Sequence, residues 1–435
     1  MFCVSAGKLC DAIDCRLKSR VICLIMYALL SGLMFLQLFI SGSYLPLLSL
    51  YLTRFLELSG NQAALIMSVS RLTLLVSPIL AARMVPRRFS ERRALLILYA
   101  GITVLMLVTS VQRTFPGMFI AFFVLNFFTG PMVGLLDAVT FKHLADSRDY
   151  GKVRVWGTVG WMAAGWANGL AVRYIPGVVD ALSPMFTLAA GASILFFVFA
   201  TLLPGGNRTG NANTDGRVEN EPGTEPPRAG GSTLRLISSP ALRLILFIYF
   251  AAAVIERFYT FGSGPHLDAL GLDESLLMPV LSLGQLTEIF MLIILQPVLR
   301  RFEFRTTIIV GALLLLARFM LLSLAALIPS LAAAASIAAV SLHGLIFAFL
   351  YTGITVYVDR QSDDARRPMM HQMLSLIFIG LAGIGGNSLA GARFSLTDGT
   401  LESFSAYWIP GMIAAFAILA VLFVFFRPER QASKD

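Results

Sequence analysis

The chain has 435 residues, 57% of them hydrophobic and only 14% charged, with a mean hydropathy of +0.77. Soluble domains average roughly 45–50% apolar and about 25% charged residues, so this balance excludes a soluble globular protein. The net charge is +9, but the cations sit in short loops between apolar runs, which points to membrane orientation and not to nucleic acid.

Crossing the hydrocarbon core takes about 20 apolar residues, and every backbone polar group there must be satisfied within the segment, so the runs are expected to be helices. The chain predicts an all-α membrane protein of about twelve spans. Their cores in the first half are 21–44, 62–82, 94–111, 116–140, 154–174 and 184–203; in the second they are 240–262, 275–299, 306–326, 331–357, 370–392 and 405–426. Arg54, Arg113, Arg173 and Arg393 fall in loops of one side, and Arg71, Arg257 and Arg318 within spans. The rest of the 34 Lys and Arg lie in the opposite loops and the two tails. That asymmetry places both termini in the cytoplasm.

Residues 1–20 read as a cytoplasmic tail. It holds Cys3, Cys10 and Cys15, and Cys23 follows; with no histidine at ligand spacing, free thiols are expected and not a zinc site. The first apolar run is too long for a signal peptide and should remain as the first span. It carries Gln37, Ser41 and Tyr44 at i, i+4 and i+7, a polar stripe suited to helix–helix hydrogen bonds or to lining a cavity. The second span carries Arg71 and Pro78, and the basic loop RMVPRRFSERR (83–93) follows. Its counterpart after the eighth span is LRRFEFR (299–305), a weak internal repeat of the kind transporter halves show. Residues 204–236 are dominated by Gly, Asn, Pro, Glu and Thr and cannot bury enough surface to order themselves. They are expected to be a flexible cytoplasmic linker between two six-span halves, 21–203 and 237–427, with a short tail at 428–435.

In the fourth span Asn126, Gly130 and Asp137 fall near one face, and Pro131 permits a kink. Asp137 lies at the cytoplasmic end, where a short loop can bring it to Arg154 as an ion pair. The fifth span opens with YGKVRVWGTVGW (150–161). On a helix this places Arg154, Thr158 and Trp161 on one face: a guanidinium fork, a hydroxyl and an aromatic plane. An arginine so close to hydrocarbon is costly unless it faces a wet interior.

The seventh span holds Glu256, Arg257 and Tyr259; neighbours on a helix point about 100° apart, so Glu256 and Arg257 cannot share a partner. The eighth holds Gln285 and Glu288 at i and i+3 near mid-span. A mid-bilayer glutamate is a functional-site candidate, here the proton-linked carboxyl, with Arg257 or Arg318 as its structural partner in the alternative. His343, beside Gly344 in the tenth span, is expected to make a helix–helix hydrogen bond, with a titrating group as the alternative, while Phe347 offers a ring face. The eleventh span contains GLAGIGG, which favours close packing. No GxxxxGK[ST], HExxH or GxSxG motif is present, so neither ATP-driven transport nor intramembrane catalysis is expected, and no cofactor.

Five stretches, MFLQLFISGSYLPLLSLYL (34–52), YGKVRVWGTVGW (150–161), SLGQLTEIF (282–290), ARFMLLSLA (317–325) and LHGLIFAFLYTGITVYVD (342–359), resemble the nucleoside:proton symporter branch of the major facilitator superfamily. The second also resembles lactose permease and phenylpropionate-type permeases. The resemblance implies that Arg154, Thr158 and Trp161 line the substrate cavity from the first half, and Gln285 and Glu288 from the second. Glu256 and Tyr259 fall where that branch has amide side chains, and Ala348 where it has an acidic residue.

The expected protein is therefore a secondary transporter of the bacterial-type inner membrane, monomeric, taking up a nucleoside or similar polar solute with protons by alternating access. Its substrate contacts would be Arg154, Thr158, Trp161, Gln285, Glu288, Tyr259, Gln37 and Phe347, and its proton-coupling groups Glu288, Asp137, Arg154 and Glu256. The alternatives are a proton-linked permease for an aromatic organic acid or a sugar, and a membrane sensor without transport.

Overall fold

A computed structural model describes residues 12–71, 90–144, 149–174, 184–204, 239–362 and 367–426. The tail to residue 11, Pro78, most of the basic loop 83–93, the linker from 205 onward and the C-terminal tail lie outside them. The described residues are helical and contain no strand. In chain order the helices are α1 (Ala12–Tyr44, continued by short turns to Phe55), α2 (60–71), α3 (Glu91–Ser110), α4 (Phe115–His143), α5 (Tyr150–Tyr174) and α6 (Pro184–Ala200). Then follow α7 (Pro240–Ala269), α8 (Glu274–Arg301), α9 (Phe304–Leu327), α10 (Pro329–Gln361), α11 (Arg367–Phe394) and α12 (Leu401–Phe425). Eight described stretches are long and apolar enough to cross a membrane, and α6 is a shorter apolar helix.

Local chemistry sets the ends. Ser90 and Thr114 cap α3 and α4, accepting hydrogen bonds from the Arg93 and Gly117 amides. Between α7 and α8 the chain reverses at Gly271, whose φ of +73° only glycine adopts freely, and Asp273 then accepts from the Ser275 amide at 2.8 Å. Two π-helical turns interrupt the later helices, Phe347–Thr352 in α10 and Leu376–Leu381 in α11. Turns of this kind cluster at functional sites.

The chain separates into two compact units that do not follow the sequence halves. The first takes Met1–Gly205 together with Thr260–Gln285 and Asn387–Leu401, so it includes one end each of α7, α8 and α11. The second takes Gly206–Tyr259, Leu286–Gly386 and Glu402–Asp435.

Within the first unit α1 crosses α5 at backbone contact. A Cβ on Gly42 would come 2.7 Å from the Trp161 carbonyl, and one on Gly160 would strike the Phe35 carbonyl. Tyr99 of α3 stacks on Phe196 of α6 at 3.4 Å, and the Ser193 hydroxyl donates to the Tyr99 carbonyl. The ends of α7, α8 and α11 are held equally closely. Gly169 sits against the Ser275 carbonyl and Gly60 against the Gly391 carbonyl. The Ser49 hydroxyl donates to the Phe261 carbonyl at 2.6 Å and Trp166 Nε1 to Ser282 Oγ at 3.0 Å.

In the second unit Phe258 of α7 stacks on Tyr407 of α12 at 4.5 Å. Gly311 of α9 meets the Leu350 amide of α10, and Gly344 of α10 meets the Glu288 amide of α8. These small residues do what the bilayer cannot: with no hydrophobic drive between helices, close approach and hydrogen bonds hold the bundle.

Candidate functional site

In the first unit the face of α5 that packs on α1 consists of Val153, Gly157, Gly160 and Ala164. Val155, Trp156, Trp166 and Leu170 are exposed and apolar, as a lipid-facing surface must be. Arg154, Thr158 and Trp161 form a third, half-buried strip between those two faces. The Arg154 guanidinium folds back over Gly157, where any side chain would displace it, and lies beside Leu38 of α1. Gln37 of α1 is 2% exposed, and its Oε1 has no hydrogen-bond partner among the described residues. Gln285 is half-buried on α8.

The expected ion pair between Asp137 and Arg154 is absent among the described residues. The Tyr150 hydroxyl donates to Asp137 Oδ1 at 2.8 Å instead, its ring stacked on Phe141, and Arg154 also acts on that hydroxyl. Tyr150 stands one turn before Arg154 on α5 and reaches the α4 carboxylate first.

In the second unit four ionisable side chains from four helices converge. Arg318 of α9, fully buried, donates from Nη1 to Glu256 Oε2 of α7 at 2.8 Å. Its Nη2 lies 3.3 Å from His343 Nδ1 of α10. The same Nδ1 is 3.2 Å from Glu256 Oε1, and His343 Nε2 is 3.8 Å from Glu288 Oε2 of α8. His343 is thus a bridge between two carboxylates. Its place is set by Gly344, which lets α10 touch the α8 backbone, and by Thr287, whose hydroxyl donates to the Ser341 carbonyl and accepts from the Gly344 amide.

Tyr259 lies beneath Arg318, its ring 4.2 Å from the guanidinium carbon, a favourable cation–π geometry. Phe347 lies one turn beyond His343, ring centroids 6.2 Å apart. Ala348 is fully buried in an apolar cluster with Met291 and Leu295.

Glu256, Glu288, Tyr259 and Phe347, all expected site residues, lie in or beside this cluster, which Arg318 and His343 join. His343 makes the helix–helix hydrogen bond expected of it, with Arg318 of α9, while Arg318, expected as a partner for Glu288, pairs with Glu256. The available signal was that each of four successive apolar spans carries an ionisable residue in its interior, Glu256 and Arg257 in the first of them.

A separate cavity of about 590 Å³ opens at the turn between α7 and α8, lined by Arg54, Arg173, Asp268, Asp273 and Glu274 among others. Arg54 pairs there with Asp268 and, at 3.2 Å, with Glu274. Burial pushes the Asp268 carboxyl above its ordinary range against the opposing pull of Arg54. Two hydrogen bonds from Ser275 hold Asp273 below that range. Asp268 lies beyond the expected span 240–262, and neither it nor its neighbours here were singled out as site residues.

The Nucleoside H+ symporter family matches residues 25–431. YegT of Escherichia coli (strain K12), assigned by name to nucleoside transport, is 26% identical over 412 residues, covering 92% of this chain and 93% of that one. The xanthosine permease of the same organism is 23% identical over 413 residues, covering 90% and 93%. Among solved structures, the crystal structure of the nucleoside transporter NupG superposes with a TM-score of 0.77 at 17% identity, covering 92% of this chain and 99% of that one. A bacterial homologue of the lysosomal transporter Spinster, inward-facing and unoccupied, gives 0.63 at 14% identity, covering 92% and 95%. The fold is that of the major facilitator superfamily, and an integral multi-pass membrane protein with ionisable groups gathered inside its helices belongs to the Nucleoside H+ symporter family.

Proposed function

We propose that this chain carries a nucleoside inward together with a proton across a bacterial-type inner membrane, using about twelve spans with both termini in the cytoplasm. The observation that supports coupling most is His343 between Glu256 and Glu288. The imidazole has two tautomers. With Nδ1 accepting from Arg318, the Nε2 proton is directed at Glu288. With Nδ1 protonated, it is directed at Glu256. Arg318 donates a charge-assisted hydrogen bond to Glu256, and Glu288, at the other end of the imidazole, is assigned the exchange of the coupled proton as solute comes and goes. Ala348 offers no titrating group, and this network stands two helical turns or less from it along α10.

Substrate contacts are assigned to Arg154, Thr158, Trp161, Gln37 and Gln285 in the first unit and to Glu288, Tyr259 and Phe347 in the second. Hydroxyl and amide groups suit a ribose, and Trp161 or Phe347 suits a base plane. The test is uptake of labelled nucleosides by proteoliposomes under an imposed inward proton gradient. Accumulation abolished by a protonophore supports the proposal; accumulation indifferent to the gradient sinks proton coupling.

A further inference from the structure

Glu256 and Arg257 are neighbours on α7 that point apart, and the mechanism above uses only the first. Arg257 faces α11, packed where Gly386 leaves room for its Cβ. Its guanidinium carbon lies 4.6 Å above the Phe378 ring. Tyr351 packs edge-on against Phe378 at 5.2 Å, and Tyr249 lies 5.9 Å from both. The Tyr351 hydroxyl is spent on the Ala252 carbonyl. Arg257 Nε is buried and without a hydrogen-bond partner among the described residues, and no carboxylate there lies within ion-pair distance of its guanidinium. The side chain as a whole is only half-buried, so its remaining donors face open space. An arginine with no carboxylate at ion-pair distance among the described residues, near only the more distant charge of Glu256, is costly unless something else supplies acceptors.

The second observation is where the rings come from. Tyr351 belongs to the π-helical turn of α10 and Phe378 to that of α11. Both π-helical turns of this unit place a ring around this one guanidinium, and the α10 turn also carries Phe347 of the solute site, 6.0 Å from Tyr351. A planar fork laid on an aromatic ring is presented edge-on to a coplanar ligand. The pair of acceptors it matches best on a nucleobase is the O6 and N7 of a 6-oxopurine; adenine offers a donor in place of O6.

We propose that Arg257, laid on Phe378 and walled by Tyr249 and Tyr351, reads the base of the transported solute, taking the O6/N7 edge of a 6-oxopurine nucleoside. The proposal rests on the nucleoside reading of the same unit and names its substrate class.

The test is counterflow exchange in proteoliposomes of the full chain, which needs no proton gradient, with labelled inosine and adenosine compared. Wild type is expected to take inosine with the lower KM. Arg257→Gln should raise the inosine KM by about tenfold while moving that for adenosine far less, with Arg257→Lys between. Equal shifts for both nucleosides, or no shift for either, would overturn the assignment. Should the variants not assemble, thermal protection of detergent-solubilised wild type decides. Greater protection by inosine and guanosine than by adenosine supports the assignment, and equal protection refutes it. Wild type that exchanges neither nucleoside would instead remove the nucleoside reading itself.

Discussion

Arg318 donates to Glu256 at 2.8 Å in the interior of the second unit, with the arginine fully buried and the glutamate 3% exposed. Breaking a buried pair by removing one partner leaves an uncompensated charge, at a cost of roughly 3–5 kcal/mol. Arg318→Met should therefore lower thermal stability in detergent sharply. Replacing both partners, Arg318→Met with Glu256→Gln, should recover much of the loss, because no bare charge remains. A double variant as unstable as the single one would show that packing, and not charge, sets the penalty.

Glu288 is proposed to exchange the coupled proton. Glu288→Gln keeps hydrogen-bonding capacity but cannot titrate, so gradient-driven accumulation should disappear while counterflow exchange persists. Loss of both to the same degree would assign Glu288 to binding alone.

Trp161 sits on the half-buried strip of α5 with Arg154 and Thr158. Trp161→Ala should weaken solute affinity by about 1–2 kcal/mol, roughly five- to thirtyfold, and Trp161→Phe by distinctly less. The two variants binding alike in an equilibrium assay would remove ring stacking from the account.

The α1–α5 crossing allows no side chain at Gly160, whose Cβ would meet the Phe35 carbonyl, whereas Gly134 on α4 has open space around it. Gly160→Ala should lower the melting temperature clearly. Gly134→Ala should leave it unchanged or raise it slightly, since alanine in a helix gains about 0.5–1 kcal/mol over glycine. Matching effects in thermal unfolding would mean that the crossing is not tight.

Asp268 lies at the turn end of α7 with its pKa raised by burial and pulled down by Arg54. A raised carboxyl favours the folded state below its unfolded value, and that contribution is lost as pH rises through the folded value. Arg54→Gln removes the opposing pull, so stability should fall more steeply than in wild type as pH rises above the ordinary carboxyl range. Adding Asp268→Asn should flatten that slope, and an unaltered slope in Arg54→Gln would show that Asp268 does not feel Arg54.

Much of the fold was legible because hydrocarbon leaves the backbone few options. A run of about 20 apolar residues has to be a helix, and the structure extends α7 and α10 only a few residues beyond the expected cores. The Arg154–Thr158–Trp161 strip followed from helical period alone. The pairing of Arg318 with Glu256 did not, since the partners are 62 residues apart on different helices and one sequence carries no record of which lone charges meet. His343 was legible as a helix–helix hydrogen-bonding residue, but its place between Glu256 and Glu288 exists only once α7, α8 and α9 surround it. Nor does any residue pattern announce the π-helical turns, which rotate Tyr351 and Phe378 off the regular register. Asp137 shows the opposite error. Closeness in sequence favoured Arg154, yet Tyr150 intercepts the carboxylate.

The most direct test follows protons and not solute. In lightly buffered proteoliposomes carrying wild-type protein, adding inosine outside at equal starting pH should drive protons inward and raise the external pH, and Glu288→Gln should abolish the signal. Inosine entry with no pH change in wild type would contradict coupling through Glu256, His343 and Glu288.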